Sequence, residues 1–338
     1  MVNPFLFLSL IMQFHLGFQP SISFNKITHQ DGVLLIGSCF SEHIGARLND
    51  LKFNVHSNPF GIVFNPKSIA ASLLRIIDKH YFEAKDVFEK DGLWYSFEAH
   101  SSLHGDTQQE LLDALNHSID NWHEKLKTAQ WLTITFGSAF AYKHIEQDTI
   151  VANCHKLPQA IFEKNLLKTN SIVAEFNNVI SKIQQFNPLL KVILTVSPVK
   201  HLRDGVVENS VSKAILIQST HQLINDLKHC VYFPSYELVN DDLRDYRFYE
   251  SDMAHPNKQA IDYVWKRFAE VYFNEKTMSI NEKVNQIHQA YRHRLFNKTT
   301  SSSVKFKQKF YQQCTNLQAE YPYLDLTKEL HYFNNYQD

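Results

Sequence analysis

Two short stretches carry side chains able to make and break an acyl bond. In "VLLIGSCFSEHIG", residues 33–45, an apolar run halts at Gly37 and is followed by Ser38 and Cys39, a hydroxyl and a thiol, before helical periodicity begins. In "SDMAHPN", residues 251–257, Asp252 and His255 stand three residues apart. On one tight loop, that spacing lets a carboxylate orient an imidazole and balance the charge it gains as a base. Nucleophile, base and orienting acid are the parts of covalent acyl transfer. Each part also has a plainer reading. Cys39 suits the role of a small apolar filler under a helix, and Asp252 that of a helix cap beside a surface His255. Of the two nucleophiles, Cys39 stands ahead of Ser38. A thiol at a helix N-terminus near a His is expected to ionise more readily, whereas a hydroxyl gains little there and needs a base.

These loops need a frame that brings distant parts of the chain together. Five short apolar runs read as buried parallel strands: 33–37, 53–57, 131–137, 191–198 and 230–235. Helical periodicity follows the first at Phe40, Ile44, Leu48 and Leu51, and the last at Ala260, Ile261, Val264, Trp265 and Phe268, in a helix expected to begin near Pro256. This alternation predicts an α/β sheet covered on both faces, with ligands held outside the carboxyl ends of the strands. "AFAYKHI" and "TIVAN" predict a β-hairpin on the rim, and residues 82–106 a second short one. From about residue 274 the chain turns polar, which predicts a helical extension, 274–338, with a flexible joint at "KTTSSS". Residues 1–21 read as a non-secretory lead-in and 22–273 as the main domain.

Taken in order, "LLIGSCFSEHIG", "NPFGIVFNP", "VANCHK" and "SDMAHPN" resemble the GSCFA family, itself similar to the SGNH/GDSL hydrolases, over residues 22–270. The resemblance implies a flavodoxin-like three-layer α/β/α sandwich with a mostly parallel five-stranded sheet, a nucleophile after strand one and the Asp-x-x-His pair near the end. It supplies no substrate. Laid on the G-D-S-L pattern, Gly37-Ser38-Cys39-Phe40 puts Cys39 at the nucleophile position. Gly61 matches the glycine that lends an oxyanion donor after strand two. The Asn expected after strand three is replaced by Gly137-Ser138-Ala139, so Asn153 is the expected substitute, with Asn58 in reserve or touching substrate. His155, and His201 with Arg203 in "SPVKHLRDG", are further candidates for substrate contact, each with a turn or cap as its plainer role. The implied activity is an acyl-ester hydrolase or acyltransferase acting on a small-molecule or carbohydrate acyl ester. The alternative is a non-catalytic ligand-binding or interaction module.

Composition narrows the classes. Lys+Arg at 34 against Asp+Glu at 35 leaves a net charge of -1, which argues against nucleic acid as a partner. Nine glycines leave little room for a glycine-rich phosphate loop. Four scattered cysteines form neither a zinc ribbon nor a disulfide framework, so a reduced, cytoplasmic setting is expected. No metal pattern, cofactor motif or membrane span is expected. The oligomeric state is not legible.

Overall fold

The computed structural model describes residues 16–293 and 300–334. Residues 1–15 of the lead-in and the start of the "KTTSSS" joint lie outside the described residues. In chain order the elements are β1 (Gly32–Gly37), α1 (Cys39–Asp50), β2 (Asn54–Ser57), α2 (Pro66–Ile77), β3 (Phe88–Lys90), β4 (Leu93–Tyr95), α3 (Gln108–Thr128), β5 (Trp131–Phe136), β6 (Phe140–His144), β7 (Thr149–Val151) and β8 (Phe162–Leu166). The order continues with α4 (Thr169–Phe186), β9 (Lys191–Val196), α5 (Val206–Asp226), β10 (Cys230–Tyr232), and α6 (Ser235–Glu237), which runs into a π-helical turn at Leu238–Leu243. Four helices close the chain: α7 (Lys258–Tyr272), α8 (Glu275–Arg292), α9 (Ser301–Glu320) and α10 (Thr327–Asn334).

The five apolar runs form one parallel sheet in the order β2-β1-β5-β9-β10. Numbered among themselves these strands run 2-1-3-4-5, the flavodoxin-like order, whose switch point falls between β1 and β5. Both faces are covered because successive side chains of a strand point opposite ways. Leu34, Ile36, Leu132, Ile134, Val192 and Leu194 pack under α2 to α5. Val33, Leu35, Trp131 and Ile193 pack under α1 and α7.

Both expected hairpins are present. β3 and β4 turn at Asp91-Gly92, where both residues have positive φ, as a two-residue hairpin loop demands. β6 and β7 pair as expected, and β8 adds an unforeseen third strand. Its charged "FEKNL" sequence reads as loop, which suits an edge strand that must not invite pairing. Two boundaries differ from expectation. Pro256 precedes the last helix of the sandwich, whose N-cap is Asn257, with its side chain accepting from Ala260 N. Ser301–Ser303 are no joint but the first turn of α9, capped by Thr300.

Candidate active site

At the end of β1 the chain leaves the sheet where only glycine fits. Gly37 has φ +136°, and a Cβ there would stand 2.2 Å from Thr135 O. Ser38 N still donates to Thr135 O at 3.2 Å, so the ladder to β5 runs one residue past the strand. Ser38 is then the N-cap of α1, its buried hydroxyl accepting from Phe40 N at 3.4 Å. Cys39 is the first helical residue, half-buried, with its thiol against the N–H groups of Cys39 and Phe40. The hydroxyl thus caps the helix, and the thiol lies against the N–H groups of the same first turn.

The expected lowering of the Cys39 pKa is corrected. Burial pushes the thiol up, Glu42 in the same helical turn adds to it, and Lys213 with the two N–H groups offsets only part. Spacing placed the sulfur at a helix start but carried no information on how much water the fold removes from it.

The dyad is built on an Asx turn. Asp252 Oδ1 accepts from Ala254 N (2.9 Å) and His255 N (3.0 Å), which leaves Oδ2 2.6 Å from His255 Nδ1. Those bonds hold the Asp252 carboxyl down to about 2, with the two backbone N–H groups as the larger causes. Met253 takes φ +56° to close the turn, and Lys200 N donates to Ala254 O, tying the loop to the segment after β9. Asp252 does not cap the next helix, since Asn257 does, so its second oxygen is available to His255. His255 shares a small cavity with Phe40 and His43 of α1, Pro198 and Val199 after β9, and α7. Among the described residues, no hydrogen bond joins the His255 ring to Ser38 or Cys39; Phe40, the neighbour of Cys39, is on the cavity wall with His255.

The candidate oxyanion donors separate. Gly61 N donates to Asn58 O at 3.0 Å, and a Cβ on Gly61, at φ +74°, would meet His100 Cβ at 2.5 Å. Its N–H is therefore spent on closing a turn. Asn58 sits at φ +46° and its Oδ1 accepts from Gly37 N at 2.9 Å, which fixes the amide so that Nδ2 faces away. That Nδ2 is buried without a partner. Asn153 Oδ1 accepts from His155 N, and Asn153 N donates to Phe97 O, so this side chain organises the chain after β7.

His155 has a structural place, contrary to its expected contact with substrate. Its ring is 4% exposed, with Nε2 on Ser96 O at 2.8 Å, among Phe88, Tyr95 and Phe97, and burial pushes its pKa down. It pins the two hairpins together. His201 does reach the strand ends. Its ring lies on Phe64, with Nε2 3.4 Å from where a Gly137 side chain would begin. Burial first, then Lys213 and His255, push its pKa down to about 3, so it is neutral at pH 7. Arg203 is exposed on the next turn, beside Asp204, which pairs with Lys164 at 2.6 Å.

One residue of this region escaped sequence reasoning. Lys213 on α5 is 1% exposed and donates to Gly137 O (2.5 Å) and Ser197 O (2.8 Å), just past the ends of β5 and β9. Burial pushes it down to about 7. Its signal was positional, for it lies on the buried stripe of Asn209, Ser212, Leu216 and Leu223, where a solvated lysine has no place. Among the described residues, no group of three or more His, Cys, Asp or Glu side chains is arranged to hold a metal ion, and no helix is long and apolar enough to cross a membrane.

Comparison with known families matches two segments of the chain separately. The GSCFA family profile matches residues 32–268, from β1 into α7. The profile described as GSCFA domain protein, C-terminal domain, matches residues 284–336. No curated protein matches the chain.

Proposed function

The chain belongs to the GSCFA family, and on that footing we propose that it is an acyl-ester hydrolase or acyltransferase working through a covalent acyl-enzyme on Cys39. The supporting observation is the Asp252–His255 pair, joined at 2.6 Å, with His255 lining one cavity together with Phe40 and His43 of α1. An ionised Asp252 can only accept, so His255 Nδ1 carries the proton and Nε2 keeps its lone pair. Nε2 takes the Cys39 proton as sulfur attacks the ester carbonyl. Cys39 N–H, in a helical first turn that lacks intrahelical partners, is the proposed donor to the oxyanion. The tetrahedral adduct collapses, the alcohol leaves with the proton from Nε2, and a thioester remains. Water or an acceptor hydroxyl then attacks the thioester as it gives its proton to Nε2, and the C–S bond breaks as Nε2 returns that proton to Cys39 Sγ, which releases the acyl group on the new oxygen. The raised thiol pKa makes this base necessary, since Cys39 rests protonated.

The proposed substrate is a small acyl ester, an acylated carbohydrate included, and His201 is the neutral imidazole best placed to meet it. All four cysteines are free, which suits the reducing cytoplasm we assign to it. The test is a panel of short-chain p-nitrophenyl esters and acetyl-CoA. Cys39→Ala and His255→Ala are expected to lose about 10³-fold or more in kcat. Ser38→Ala is expected to keep turnover while losing about 1 kcal/mol of stability with the cap. Intact-mass spectra should reveal an acyl adduct that Cys39→Ala lacks. Turnover undiminished in all three variants would remove this site from the reaction, and no turnover by the wild type would instead point to a non-catalytic binding module.

A further inference from the structure

Lys213 is a costly way to fill space. An apolar side chain of its length would pack without the desolvation of an amine, and a buried cation is tolerated only where partners recover that cost. Its place follows from strand register. Gly37 pairs with Thr135 on adjacent parallel strands about 4.8 Å apart, and Cys39, in the first turn of α1, and Gly137, just past β5, each follow that pair by two residues. Lys213 Nζ is fixed to the Gly137 carbonyl on that neighbouring strand end and to Ser197 on the next. We propose that Lys213 is a positioning residue of the acyl-transfer site, binding the ends of β5 and β9 together beneath Cys39 and setting a positive charge beside the sulfur as its negative charge develops.

The inference rests on the acyl-transfer reading, which makes Cys39 the attacking group. The electrostatics agree with the geometry: Lys213 and Cys39 each favour the other's charged form. Among the other groups around the pair, Glu42 on α1 opposes the thiolate. His201, after β9, feels both Lys213 and His255, and His43 on α1 feels His255. Lys213 is the cation that the strand ends themselves hold in place.

The test reads Cys39 directly, without any ester. The full chain is alkylated with iodoacetamide between pH 6 and 10, and labelling of the Cys39 and Cys154 peptides is followed by mass spectrometry. Lys213→Met is expected to slow Cys39 labelling severalfold at pH 6–7, where Lys213 still holds its proton, with the difference fading as pH rises. Lys213→Arg should restore the wild-type profile, and Cys154, which feels Arg203 instead, should be unchanged throughout. Lys213→Gln keeps a donor for the carbonyls and loses the charge, so it decides the matter if the Met variant does not fold. A folded Met or Gln variant with an unaltered Cys39 profile overturns the proposal. Failure of the acyl-transfer reading would look different, as ester turnover that survives Cys39→Ala.

Discussion

Asp252 uses its two oxygens for separate tasks, one organising the backbone of its own turn and the other aligning His255. Its carboxyl is depressed from 3.8 to about 2, so its contribution is complete above the unfolded value and is lost only as pH falls through about 2. Protonation of Asp252 should therefore add no second step to the acid limb of turnover above pH 3. A slope of two in that range would contradict an ionised partner. Asp252→Asn should cost at least about 10³-fold in kcat, because an amide facing Nδ1 favours the wrong tautomer. At this scale Asp252 and His255 were legible because they are close in sequence. The direction of the Cys39 shift and the depth of Lys213 were not, since both depend on water excluded by segments far along the chain.

The turn between β2 and α2 links backbone shape to chemistry. Gly61 closes it onto Asn58, whose side chain holds Gly37 at the nucleophile turn. Gly61→Ala would force a Cβ into His100 at positive φ, and it should cost roughly 2–3 kcal/mol in urea unfolding. The same variant should lose turnover by moving Asn58; unchanged stability would mean that the turn relaxes freely. Elements of this kind were only partly readable. Buried parallel strands announce themselves as unbroken apolar runs, as β1, β5 and β9 do, whereas β8 hides its pairing behind charge. The Gly61 match was visible, yet the turn's hydrogen bond, which removes that N–H from service, was not.

At the scale of the molecule, a third core lies beyond the two faces of the sheet. Ile280, Val284 and Ile287 of α8 pack with Cys314 and Leu317 of α9 and Phe333 of α10, and Leu51 after α1 touches both this core and the one under α7. Lys52 pairs with Glu329 at 2.7 Å, with the carboxylate side chain 4% exposed. Glu329→Ala leaves that lysine without its partner and should cost about 3 kcal/mol. It should also speed hydrogen exchange in α10 before the sheet is affected; equal acceleration everywhere would show that the terminal helices do not open separately. A groove of 920 Å³ runs from His43, beside the candidate base, along α1 and α7 to Arg292 on α8. Helical character after residue 274 was legible from composition, but not which surface of the sandwich those helices would cover.

The proposed thiol comes from the first strand–helix junction and the imidazole from the last loop before α7, with four of the five sheet strands strung between them. On the ribosome the sulfur therefore emerges long before its activator. On the proposed reading, a truncated nascent chain carries an unarmed cysteine, and reactivity arrives only once the loop that bears His255 has been made.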